Sequence, residues 1–161
     1  MGGLLGSLHP FFVHFAVALP IVAFVLDLGH RVRGSEVWAR CAMIMMIAGA
    51  LMVALAFFSG HFAEESVESF LSPAAKELFE THEVMGKVVM GLMLVLAVAR
   101  LYLGTKEASY MRSLYLGALA IVIALILYQG KVGGELVYEH GVGTVLMQQS
   151  TTQPYMEEEE R

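Results

Sequence analysis

The chain is 161 residues long, 57% apolar and only 16% charged, whereas an average soluble domain is about a quarter charged. Its charges are confined to short patches between long apolar runs, which excludes a disordered chain and a soluble core wrapped in polar faces and identifies an integral membrane protein. The net charge of -5 argues against nucleic-acid binding, and the single Cys41 cannot form an intrachain disulfide.

Crossing a bilayer as a helix takes about 20 mainly apolar residues, and four stretches qualify, at 9–30, 37–61, 82–104 and 110–131. The first opens on His9 and Pro10 and is uncharged from Pro10 to Leu26. No Lys or Arg precedes it and no small-residue cleavage pattern follows, so it reads as a retained helix and not a signal peptide. Asp27 near its far end is expected to pair with Arg100 or a neighbouring Arg, since a charge inside a span needs a partner. The second is uncharged from Cys41 to Gly60 and closes on His61. A polar connection follows, with a short surface helix expected over Pro73–Phe79. The third starts at His82 and is framed by Lys87 and Arg100, both close enough to an end to snorkel. The fourth is uncharged from Ser113 to Gly130 and leads to His140. Residues 1–147 are expected to form one domain and 148–161 a solvated acidic tail. The short connections predict an all-α, antiparallel four-helix bundle, with Gly49, Ala50, Gly86, Gly91, Gly117 and Ala118 allowing close packing. No internal sequence repeat stands out.

The loop charges set an orientation. Arg31, Arg33, Arg40, Arg100, Lys106 and Arg112 fall in or beside the first and third loops, whereas the termini and second loop hold Lys76, Lys87, Lys131 and Arg161 among an excess of acidic residues. By the positive-inside rule the first and third loops face the cytoplasm, and both termini face the periplasm or extracellular space, as expected of a bacterial inner-membrane protein.

That topology assigns each of the six histidines to a membrane side. His9, His14, His61, His82 and His140 share the outer face, and every helix delivers at least one of them. His30 falls at the inner end beside Arg31 and reads as an interfacial residue. Neutral imidazole is the commonest protein ligand for iron, copper and zinc, and bundles build such sites from facing helices. His9 and His14 are about 140° apart around a regular helix, too far to hold one small ion together. Imidazoles without cysteine partners suit a bis-histidine haem better than a structural zinc centre. The candidate ligands of a haem iron or metal are His14, His61, His82 and His140, and His9 is a fifth cofactor-binding candidate, serving a second site or supporting a ligand from behind. Glu83 and Glu135 are the carboxylates placed to orient an imidazole, while Glu64, Glu65, Glu80 and Glu139 border the same face. Met85, one turn from His82, is the methionine placed to join a copper site; Met43, Met45 and Met46 lie away from the histidines and suit packing.

The segments LHPFFVHFAVALPIVAFVLDL, SGHFAEE, THEVMGKVV and GGELVYEHGVG resemble the DUF2231 family of predicted four-helix membrane proteins. The resemblance covers most of the chain, and its histidine motifs fall on His9, His14, His61, His82 and His140. It implies haem or metal binding and a link to respiratory electron transfer. The expectation is a b-type cytochrome-like subunit with haem b near the outer face, working in the lipid bilayer with a quinol or a partner redox subunit. The competing expectations are a copper, zinc or iron ion at the same histidines, or a structural anchor of a larger complex.

Overall fold

The computed structural model describes residues 6–64, 67, 71–104 and 109–144; Glu65, the tail at 148–161 and the side chain of Glu64 lie outside that description. Among the described residues four long helices follow one another: α1 (His9–Arg33), α2 (Glu36–Glu64), α3 (Pro73–Leu103) and α4 (Ser109–Tyr138). Each is long and apolar enough to cross a membrane, with a mean hydropathy of 2.0 to 2.5 over its most apolar window.

The helix ends follow from local chemistry. Pro10 sits in the first turn of α1, where its missing N–H costs nothing, and Gly34 stops the helix in the left-handed region at φ 67°, its N–H donating to His30 O at 2.7 Å. Gly104 closes α3 at φ 52° and ψ -130°, a conformation that favours glycine, its N–H donating to Arg100 O. At the start of α3, the Ser72 hydroxyl accepts from Ala75 N–H at 3.2 Å and Pro73 supplies a preset φ. Nothing between Phe79 and His82 breaks the helix. The surface helix expected over Pro73–Phe79 is therefore the opening of α3, continuous with the span that was expected to begin at His82.

The helices pack in sequence order, α1 on α2, α2 on α3, α3 on α4, and α4 returns against α1 to close the bundle. Their inward positions recur at alternating three- and four-residue steps, as in Ala16, Pro20, Ala23, Asp27 and His30 of α1. In α3 the same steps carry Gly86, Val89, Met93, Leu96, Arg100 and Leu103. The outer faces show Phe11, Phe15, Val25, Val98 and Ile121, while the buried polar side chains include Asp27, Arg100 and Arg112. Apolar groups outside and charges inside is the distribution that a hydrocarbon solvent selects. Of the small residues expected at packing contacts, Gly49 and Gly86 lie against neighbouring helices, whereas Gly91 and Gly117 face open space.

Candidate functional site

Two polar layers cross the bundle, one at each end. At the histidine end, His9 of α1 donates from Nδ1 to Ala56 O of α2 at 2.8 Å, with the Ser59 hydroxyl 3.3 Å away. Ser59 Oγ also donates to that carbonyl, at 3.0 Å. An acceptor at Nδ1 places the proton there and leaves Nε2 with its lone pair. The ring rests on Gly60, where an added Cβ would stand 3.0 Å from His9 Cε1.

His82 of α3 is placed in a similar way against α4. Its ring lies on Gly133, where a Cβ would stand 3.1 Å from His82 Cε1, at the same end of the bundle as His9. The Gln129 carbonyl is nearby, yet His82 Nδ1 is buried with no hydrogen-bond partner among the described residues. Gln129 and Phe57 converge on Gly86, a Cβ there standing 3.1 Å from Gln129 Nε2 and 3.3 Å from Phe57 Cδ2. All four helices thus contribute to the layer. Gln129, Phe57 and Ser59 were not among the residues read as functional. A signal for Gln129 was available, since it is a carboxamide in an uncharged run and continues the inward steps of Leu119, Val122 and Ile126.

The other candidates stand apart from this pair. His14 is exposed on α1, its Nδ1 bonded to Pro10 O of its own helix. The five-residue step from His9 turns it off the inward face, so of the two histidines expected on α1 it is His9 that lies in the layer with His82. His61 is about half exposed, with Nδ1 3.8 Å from Glu83 Oε1, and Lys87 Nζ lies 2.9 Å from the same oxygen. Glu83 therefore does stand beside an imidazole, that of His61, in an ion-pair network at the rim. Met85 is half-buried on α3. His140 and Glu135 line an open cleft of about 320 Å³ together with Glu77, Thr81, Ala74 and Leu78. Beyond His140, Gly141 and Gly143 adopt φ of 67° and 76°, and Val142 N–H reaches back to Leu136 O at 3.0 Å, so the HGVG segment serves as the cap of α4. Among the described residues no group of three or more His, Cys, Asp or Glu side chains is arranged to hold a metal ion.

At the opposite end, Asp27 is fully buried and accepts from two arginines, from Arg100 Nε at 2.9 Å and from Arg112 Nη1 at 3.3 Å. Arg100 also donates to Ala39 O and to Gly104 O, so its fork ties α1, α2 and the end of α3 together. The expected pairing of Asp27 with Arg100 is met, and Arg112 is its second partner. Tyr115 is buried nearby, its hydroxyl without a hydrogen-bond partner among the described residues. His30 donates from Nδ1 to Ser35 O at 2.8 Å across the α1–α2 turn, a capping role in place of the interfacial one expected.

No curated protein and no solved structure matches the chain. Residues 6–146 match the family described as predicted membrane protein (DUF2231). Four apolar spans and a buried polar interior agree with that description, and the chain belongs to the DUF2231 family of membrane proteins.

Proposed function

We propose that this membrane protein is a b-type cytochrome-like redox subunit in which His9 and His82 hold a haem iron at the histidine end of the bundle. The observation that carries the reading is that α1 and α3 each set an imidazole, His9 and His82, into the same end of the bundle, each resting on a glycine of the next helix with a backbone carbonyl beside it. A centre completed by two imidazoles also suits a layer to which α1 and α3 each bring one. His9 is held by Ala56 O in the tautomer that leaves Nε2 unprotonated, the form in which imidazole binds iron. Gly60 and Gly133 give the two rings room against the backbone. When bound, haem supplies reversible one-electron transfer, and the electron is exchanged with a quinol or a partner redox subunit.

Purified protein is expected to show a Soret band and split reduced alpha bands. His9→Ala and His82→Ala should each abolish them, while His14→Ala leaves them in place. A colourless protein carrying stoichiometric copper or zinc would replace haem by a metal ion. A colourless, metal-free protein would reduce both histidines to clamps between helices, the role that the His9 bond to Ala56 already performs.

The reading includes an orientation with the histidine end outside the cytoplasm. With Cys41 replaced by Ser, a cysteine at Ser66 should react with an impermeant thiol reagent in intact cells and one at Ser109 should not. The reverse pattern would move the histidine layer to the cytoplasmic side.

A further inference from the structure

We infer that the bundle is an internal duplication of one helical hairpin, α1–α2 and α3–α4 being its two copies, and that the histidine layer is a single site shared across the pseudo-twofold axis between them. Asp27 and Arg100, paired at 2.9 Å, are 73 residues apart. The same spacing takes His9 to His82, Ala56 to Gln129 and Gly60 to Gly133. These are the parts of one device used twice. An imidazole near the outer end of the hairpin's first helix lies on a glycine of its second helix, beside the carbonyl four residues before that glycine, Ala56 in one copy and Gln129 in the other.

The spacing also carries the buried faces onto one another. Ala16, Ala23 and His30 of α1 fall on Val89, Leu96 and Leu103 of α3, and Ala42, Met46 and Val53 of α2 fall on Tyr115, Leu119 and Ile126 of α4, all buried. Helical periodicity alone would let α3 be matched to α1 at several spacings. It does not require the same spacing to match α4 to α2, or to set His on His, Gly on Gly and one end of the buried ion pair on the other. Both hairpins cross in the same sense, so the relating axis runs along the bundle and the membrane normal. A residue close to such an axis meets its own equivalent, as Asp27 meets Arg100.

His9 and His82 are equivalents at the other end of that axis, and one ligand takes one imidazole from each copy. The ligand class, an iron tetrapyrrole, rests on the function proposed above; the duplication does not. Because positions 27 and 100 are equivalent, exchanging their residues should preserve the pair. Arg112 donates to Gly104 O, as Arg100 does, so both guanidinium groups lie at the end of α3.

The test compares D27R, R100D and the D27R/R100D exchange by yield of monodisperse, detergent-purified protein. Each single change should lower the yield about tenfold or more, because it buries like charges together, and the exchange should recover most of it. An exchange no better than the worse single change would overturn the duplication. In hemin titrations of the parent, H9A, H82A and H9A/H82A proteins, each single variant should lose binding as completely as the double. Half-stoichiometric binding in either single variant would overturn the shared site. Protein that tolerates the exchange but takes up no hemin in its parent form would remove the haem reading and the shared haem site while leaving the duplication in place.

Discussion

The two hairpins are packed by different means. In α1–α2 the contact is made of small residues: a Cβ on Gly29 would stand 1.8 Å from the Trp38 ring, and one on Gly49 would stand 3.2 Å from Pro20. In α3–α4 the buried positions hold Val89, Leu96, Tyr115, Leu119 and Val122, and the helices meet less closely. Close backbone approach strengthens van der Waals contact where no hydrophobic effect drives helices together. Bulkier side chains hold helices apart and leave room for functional groups between them. Arg112, Tyr115 and Gln129 all belong to the second hairpin, at positions where the first has Ala39, Ala42 and Ala56. The difference teaches a division of labour in which a compact hairpin acts as a closely packed wall and the wider one carries the bulkiest buried polar side chains, Arg100, Arg112 and Tyr115.

The strongest test of this division is at the joint between the two. Asp27 is a carboxylate of the compact hairpin facing two guanidinium groups of the other. Asp27→Ala removes the carboxylate that the two buried arginines share, and breaking a buried pair in this way typically costs about 3–5 kcal/mol. Thermal unfolding in detergent should show a larger loss of stability for this variant than for a substitution at Gly29 or Gly117. A variant as stable as the parent would mean that the hairpins are held by apolar packing alone.

Much of this architecture was legible from residue order. Four spans follow from apolar runs of the right length, and the Asp27–Arg100 pair from the cost of an isolated charge in a span. The continuity of α3 was not, because Glu77, Glu80 and Lys76 look like a surface element until Ser72 and Pro73 are seen to start a single helix. Depth in the span favours His14 over His9, and helical phase favours His9. The steps from Ala16 through Pro20, Ala23 and Asp27, extended back by two turns, arrive at His9 and miss His14. The duplication was hidden for a physical reason. A hairpin rebuilt from Ala to Val, Leu and Tyr keeps its periodicity and little identity, and apart from His9/His82 and Gly60/Gly133 the residues shared at the repeat spacing are Leu or Val.

A smaller effect is expected inside the compact hairpin. Gly29→Ala drives a methyl group into the Trp38 ring, which also carries the Arg33 guanidinium 5.3 Å from its centroid and so is not free to swing away without loss. Overpacking of this kind costs about 1–3 kcal/mol. The double variant Gly29→Ala with Trp38→Leu removes the ring and should recover much of the loss. Equal destabilisation with and without Trp38 would mean that the close approach of α1 to α2 is not what Gly29 provides.

The smallest effect belongs to the wider hairpin and has the opposite sign. Gly117 of α4 is exposed, and a Cβ built there meets no atom within 4 Å. Its expected role in packing is therefore absent within one copy of the chain, and what Gly117→Ala changes is the backbone: alanine restricts the unfolded chain and favours the helix by about 1 kcal/mol. Unfolding of this variant in dilute detergent should be unchanged or slightly harder than that of the parent. The same substitution at Gly29 should move stability the other way, so the pair of variants measures the difference between the two hairpins directly. Destabilisation at Gly117 that grows with protein concentration would show that a second molecule packs against this face, because the isolated bundle offers the new methyl group nothing to strike.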